Sequence, residues 1–231
     1  MSVQKAQREF LEAAVERLAR DDRVAAVLLV GSAGRGEADE WSDLDIEVIA
    51  DDDSSSEVVS NPHAAEQFGD LLVWVDCSFN AVLGGTMAFS RYETGAGLLM
   101  VDWHVFPHST GRVTAGARVL WSRRNLELQP FEGNVVDLVA SNTRRSIPPY
   151  SRQQRAEWEL CMIDIAVARP PRGHDGRDLH RFIGVEADTG PDPRDQLDGL
   201  ETHLHRLRSW LAPRAFEASL NRLQAARAVL L

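Results

Sequence analysis

The stretch Gly31-Ser32-Ala33-Gly34-Arg35-Gly36, followed after a short gap by Asp43-Leu44-Asp45-Ile46, decides the fold that we predict for this chain. The apolar run 24–30 precedes it and is typical of a buried strand that ends in a turn. The residues from Leu44 to Ala50 predict a second strand. Because side chains alternate along a strand, Asp43 and Asp45 should point to the same face.

Two carboxylates on one face of a strand repel each other unless a cation lies between them. Mg²⁺ is the natural candidate, since it takes oxygen ligands from one or two carboxylates and from the phosphates of a substrate. The glycines preceding the pair allow a close backbone approach, and successive amides at a helix start can bind an anion. A solvated turn beside a polar strand edge is the alternative, but the combination of strand, loop and Asp-x-Asp favours nucleotide chemistry.

On Gly31-Ser32 and Asp43-Leu44-Asp45, the chain resembles the nucleotidyltransferase superfamily that includes DNA polymerase beta. Within it, the chain is similar to the small nucleotidyltransferases that modify antibiotics such as aminoglycosides or lincosamides. The resemblance covers about the first half of the chain. Its specificity comes from the combination of motifs, and the loop is richer in glycine and more cationic than the minimum pattern requires.

The resemblance implies a third carboxylate on a later strand. Asp102 fits, because residues 87–106 predict a hairpin of two apolar strands around a turn at 92–97. Asp76, at the end of the predicted strand Leu71–Cys77, is the competing candidate. We favour Asp102 because it lies within a strand.

The implied reaction is attack of an acceptor hydroxyl on the α-phosphate of a nucleoside triphosphate, with ATP as the expected donor, Mg²⁺ as cofactor and pyrophosphate as leaving group. Arg35 could assist the phosphates or be freely solvated. The implied catalytic and metal-binding residues are Asp43, Asp45 and Asp102, and the implied nucleotide-binding residues are Gly31, Ser32, Ala33 and Arg35.

The general base is left open by the sequence. Asp102 could accept the proton, or a carboxylate of the predicted helix 152–168 could, namely Glu157, Glu159 or Asp164. A charged helix surface explains those three residues equally well.

Other polar residues have structural explanations as good as functional ones. Arg144 and Arg145 could reach a triphosphate, but cations near a helix C-terminus are also favoured by the helix dipole. His104 shares a strand face with Asp102 and could contact a substrate, although a structural histidine is commoner. His203 and His205 are expected at the surface.

Composition narrows the class of function. The net charge of −10 over 231 residues disfavours nucleic acid as a partner and favours a small or cationic acceptor. Lys5 is the sole lysine, so arginine must supply any cationic phosphate contact. Residues 1–20 lack a signal-peptide core and no apolar run suits a bilayer, so we expect a cytoplasmic protein with no membrane partner. Cys77 and Cys161 are expected as buried thiols.

The predicted fold class is α/β (α+β), with a mixed sheet and flanking helices followed by a C-terminal helical bundle. We predict a nucleotidyltransferase catalytic domain at 1–125 and a helical domain at 126–231, with helices at 134–145, 152–168 and from about 193 onward. By resemblance, the helical domain would shape the acceptor pocket. The alternative function is an antitoxin-type nucleotidyltransferase that acts on a protein partner.

Overall fold

A computed structural model gives the fold, and it describes residues 2–123, 127–140, 149–175, 179, 183 and 192–230. The chain divides into two compact units, Met1–Pro148 and Pro149–Leu231. It has an α+β fold with a mixed six-stranded sheet, as predicted.

Unit 1 contains the sheet, in the strand order β3-β4-β5-β2-β1-β6. Strands β2 and β5 are parallel, whereas the other neighbouring pairs are antiparallel. The helices of this unit are α1 (Val3–Leu18), α2 (Gly31–Gly34), α3 (Pro62–Glu66) and α4 (Val135–Ala140). The strands are β1 (Val24–Val30), β2 (Leu44–Ala50), β3 (Asp70–Asp76), β4 (Thr86–Thr94), β5 (Gly97–Pro107) and β6 (Arg118–Ser122).

The sheet is buried on both faces. Helix α1 packs Phe10, Ala14 and Leu18 against one face, together with the alternate residues of β1, β2 and β5. The other face includes Leu28 and Phe106 and is covered in part by residues from 128 to 139. Burial on both sides explains why β1 is a continuous apolar run rather than an alternating one.

Residues 127–140 pack on the sheet of unit 1, although the sequence assigned them to the helical half. Val135 and Leu138 of α4 lie in the same apolar cluster as Leu28 of β1. The two compact units therefore divide between Pro148 and Pro149. The functional division near residue 125 stays a prediction. The end of the predicted helix 134–145, with Arg144 and Arg145, lies outside the described residues.

Helix α3 is a short helix of five residues. Asn61 caps it by accepting a hydrogen bond from the Ala64 amide, and Pro62 fills its first position, where the missing N–H costs nothing. Val58 and Val59 precede this start, are buried and do not continue the helix backward.

Unit 2 is helical, with α5 (Arg152–Val167), α6 (Pro193–Leu207) and α7 (Pro213–Val229). Helix α5 begins at a capping box formed by Ser151 and Gln154. Between α5 and α6, the Ile183 amide donates a hydrogen bond to the Leu179 carbonyl. In the described parts of the chain, no helix combines the length and apolarity needed to cross a bilayer.

Candidate active site

Three aspartates from the centre of the sheet converge in unit 1. Asp43 directly precedes β2, Asp45 lies within it, and Asp102 lies on the neighbouring parallel strand β5 in register with Asp45. Partners in register project to the same face of a sheet. One carboxylate oxygen from each residue lies within 4.8 Å of the others. The structure therefore brings the predicted trio together, while its catalytic role stays a prediction.

The three carboxylates form a donor set that suits Mg²⁺. Asp43 and Asp45 are half-buried and Asp102 is buried, so like charges are held together with limited solvation. Burial raises the pKa of Asp102 to about 8; Arg91 opposes this change, whereas Asp43 and Asp45 add to it. A divalent cation would relieve that repulsion, and hard oxygen donors are the ligands that Mg²⁺ prefers.

The predicted phosphate loop borders this cluster. Gly31 has a φ of +63°, and a Cβ atom there would lie 2.0 Å from Asp45 Oδ2. Ser32 is half-buried, whereas the Ala33 side chain is buried in the core beneath the first sheet face. Ala33 thus anchors the short helix α2, and only its backbone would be available to a ligand.

Gly34 has a packing role that the sequence did not reveal. A Cβ atom on Gly34 would lie 2.4 Å from the Leu29 carbonyl oxygen and 2.8 Å from that of Gly116. Its hydrogen therefore allows α2 to rest directly on two backbone segments.

The Arg35 guanidinium is paired with an acid. Its Nε donates to Glu37 at 2.6 Å, and the side chain is 44% exposed. A role for Arg35 in phosphate binding therefore stays a prediction.

Asp76, the competing third acid, lies elsewhere. It ends β3, which is an edge strand separated from β5 by β4. Its carboxylate is exposed and accepts hydrogen bonds from the Ser78 amide at 2.8 Å and the Ser78 hydroxyl at 2.5 Å. Asp76 therefore forms a local turn, which agrees with our preference for Asp102.

Arg91 is a site residue that the sequence analysis missed. It lies on β4, is 1% exposed, and places Nη1 3.4 Å from Asp102 Oδ1 and 2.9 Å from the Ser90 carbonyl. Its pairing with Asp102 sets a cation behind the acidic cluster. The feature of the sequence that could have indicated Arg91 is a charged residue within an apolar strand of the hairpin that carries Asp102.

Glu47 was also missed, although it lies only two residues beyond Asp45. It is 0% exposed, and burial raises its pKa to about 8. His104, which the sequence placed on the Asp102 face, is 4% exposed and lies with Nε2 3.6 Å from Asp45 Oδ1. The signal for Glu47 was the period-two spacing from Asp43 through Asp45.

The alternative general bases belong to unit 2. Glu159 accepts a hydrogen bond from Arg155 at 2.6 Å and lies 2.9 Å from His203 Nε2. Asp164 is 0% exposed within the helical core. Glu157 is half-buried and accepts a bond from a glutamine of its own helix. Glu159 is thus paired inside unit 2, and a role as general base stays a prediction for all three.

The placement of His203 at the surface was wrong. Its side chain is only 11% exposed, because α6 packs beside α5 and brings the ring against Glu159. His205, with a side chain 49% exposed, lies at the surface as predicted. Cys77 and Cys161 are both free and buried, as predicted.

Comparison with known proteins identifies the part of the chain that builds most of this site. None of the curated proteins compared with the chain matches it. Residues 9–85 match the family described as "Nucleotidyltransferase domain", and this match extends over about a third of the chain. It includes the glycine-rich loop, Asp43 and Asp45, and it ends before Asp102. Through this segment, the chain is similar to nucleotidyltransferase domains, and residues 9–85 carry that similarity.

Proposed function

We propose that this protein transfers a nucleoside monophosphate, with ATP as donor, to a hydroxyl group of a small molecule such as an aminoglycoside-like or lincosamide antibiotic. The observation that carries the proposal is the convergence of Asp43, Asp45 and Asp102 within 4.8 Å beside Gly31. The match of residues 9–85 to the nucleotidyltransferase domain supports nucleotidyl transfer in general. The identity of the acceptor, of the general base and of the metal is part of what we propose.

In the proposed reaction, the acceptor oxygen forms a bond to the α-phosphorus of the triphosphate. The bond from that phosphorus to the bridging oxygen breaks, pyrophosphate leaves, and the hydroxyl proton passes to a base, for which Asp102 is the candidate within the cluster. Bound Mg²⁺ would neutralise charge on the phosphate oxygens and is usual for this kind of transfer. The three aspartates would hold it, because their oxygens supply the donor type that it requires.

The residues around the cluster would orient the donor. The Gly31 and Ala33 amides and the Ser32 hydroxyl would bind the β- and γ-phosphates, since no side chain intervenes at Gly31. Arg35 would assist only after leaving Glu37. Positioning and charge neutralisation would then provide most of the acceleration.

The nature of the acceptor is inferred from charge and from the resemblance to antibiotic nucleotidyltransferases. A net charge of −10 favours a cationic small molecule over nucleic acid. We propose the catalytic function for residues 1–125 and acceptor specificity for residues 126–231. A cytoplasmic location belongs to this proposal, because nucleoside triphosphates are cytoplasmic compounds.

The test is to incubate the purified chain with Mg²⁺, each nucleoside triphosphate in turn, and a panel of aminoglycosides, lincosamides and uncharged polyols. We expect pyrophosphate release together with an acceptor whose mass has increased by one nucleoside monophosphate. Asp45→Asn should abolish transfer with the fold intact by circular dichroism. Asp51→Asn removes an exposed acid just beyond β2 and is the matched control that should retain turnover.

Two results would contradict the proposal. Unchanged turnover in Asp45→Asn would exclude the acidic cluster as the catalytic centre. Transfer to a co-purifying protein, with none to any small molecule, would exclude the small-molecule acceptor in favour of the antitoxin-type activity.

A further inference from the structure

Two buried polar side chains continue the sheet face that carries the aspartates. Glu47 follows Asp45 by two residues on β2, and His104 follows Asp102 by two residues on β5. The parallel register pairs Glu47 with His104, as it pairs Asp45 with Asp102. Glu47 and His104 therefore form a second row behind the acidic cluster.

Neither side chain of this second row forms a hydrogen bond with a described residue. Both carboxylate oxygens of Glu47 and both ring nitrogens of His104 are buried without such a partner. Leaving a buried polar group unpaired destabilises the fold, and such groups are uncommon in native proteins. Leu28 and Phe106 beside them on this face are fully buried and apolar. Packing alone would favour apolar residues at 47 and 104 as well.

His104 of the second row lies close to Asp45, one of the three aspartates of the cluster. His104 Nε2 lies 3.6 Å from Asp45 Oδ1, which is ion-pair range but beyond a hydrogen bond. The other oxygen of Asp45 lies against Gly31. The Asp45 carboxylate is thus confined by Gly31 on one side and by His104 on the other, and a small movement of the ring would close a hydrogen bond.

We propose that His104 and Glu47 are positioning residues, in which His104 orients the Asp45 carboxylate toward a bound divalent cation and Glu47 orients His104. This inference rests on the proposed function, because it requires the aspartates to hold a metal. Partners behind a metal ligand fix its orientation, and their loss typically costs 10- to 100-fold in metal affinity. One ring nitrogen of His104 would form a hydrogen bond to Asp45, and the other would be available to form one with Glu47.

The test measures Mn²⁺ affinity of the full chain without nucleotide, by electron paramagnetic resonance and calorimetry. His104→Phe keeps a ring but removes both nitrogens, so we expect an affinity at least 10-fold weaker than that of the wild type. His104→Gln places an amide N–H near the position of Nε2 and should recover part of that loss. Glu47→Leu should also weaken binding, but it should add little in a chain that already carries His104→Phe.

The matched control is Tyr92→Phe on the opposite face of the sheet. It removes a buried hydrogen bond, from the Tyr92 hydroxyl to the Ala65 carbonyl, and should leave Mn²⁺ affinity unchanged. Circular dichroism identifies variants that retain the fold. If His104→Phe does not fold, His104→Gln and Glu47→Leu decide the question by the same affinity measurement.

The outcomes separate this inference from the proposed function. Wild-type affinity in the folded His104 and Glu47 variants, with a loss in Asp45→Asn, would overturn the inference and leave the proposed function standing. An absence of Mn²⁺ binding in the wild type, or equal binding by Asp45→Asn, would overturn both.

Discussion

Gly31 and Asp45 approach each other so closely that no side chain fits between them, since a Cβ atom on Gly31 would lie 2.0 Å from Asp45 Oδ2. Gly31 also has a φ of +63°, which L residues adopt at a cost. Glycine is therefore needed here for two separate reasons, space and backbone conformation. The first of them ties the loop to the position of the Asp45 carboxylate.

Gly31→Ala should displace the Asp45 carboxylate and so reduce both Mn²⁺ affinity and turnover by 10-fold or more. Gly36→Ala is the matched control, because Gly36 has a φ of +77° but open space around its Cβ position. Both variants should lose about 1 kcal/mol of stability from backbone strain. Equal Mn²⁺ affinities in the two variants would show that the contact with Asp45 does not matter.

The identity of the third acid can be tested through melting temperature. A cation that binds the folded chain raises the temperature of unfolding, so we expect MgCl₂ or MnCl₂ to stabilise the wild type. Asp102→Asn should lose most of that stabilisation. Asp76→Asn should keep it, since Asp76 ends an edge strand and accepts its hydrogen bonds from Ser78. A stabilisation that disappears in Asp76→Asn and persists in Asp102→Asn would reverse our assignment.

The central strands were predictable because burial on both faces leaves a strong local signal. The apolar run at 24–30 and the predicted strand at 44–50 became β1 and β2 at the predicted residues. The hairpin that carries Asp102 was equally visible, since its two strands flank a glycine-containing turn. The position of Asp102 beside Asp45 depends instead on the parallel pairing of β5 with β2, a long-range contact that local pattern does not encode.

The parts that the sequence did not reveal are those defined by neighbours on other strands. Arg91 and Glu47 become notable only once β4, β5 and β2 are adjacent, because their burial and partners come from those strands. Likewise, Val135 and Leu138 give α4 an apolar face, but periodicity cannot say which core that face will cover.

The Arg91–Asp102 pair should show strong coupling in a double-mutant cycle. Arg91→Leu leaves the Asp102 carboxylate buried without this partner, so we expect a loss of roughly 3 kcal/mol in the free energy of unfolding of the metal-free chain. Arg91→Leu combined with Asp102→Leu should be less destabilised than the sum of the two single changes, because neither charge is then left alone. Denaturant unfolding at about pH 9, above the pKa of about 8 to which burial raises Asp102, measures the four free energies, and simple additivity would contradict the pairing.

Glu159 should make the stability of the helical unit depend on pH. Although burial acts to raise it, hydrogen bonds from His203 and Arg155 hold the pKa of Glu159 below its ordinary value of 4.5. The unfolded chain therefore binds this proton more readily, and the stabilisation is complete above about pH 4.5 and lost as the pH falls through the folded-state pKa.

Hydrogen exchange of the full chain measures this effect locally in α5. Glu159→Gln should lower the protection of α5 amides at pH 7, and the difference from the wild type should shrink as the pH falls through the folded-state pKa, because Glu159 then becomes neutral as well. Glu157→Gln changes an acid of the same helix that accepts its bond from Gln153, and it should leave protection at pH 7 nearly unchanged. A difference between Glu159→Gln and wild type that is the same at every pH would mean that the charge of Glu159 does not stabilise α5.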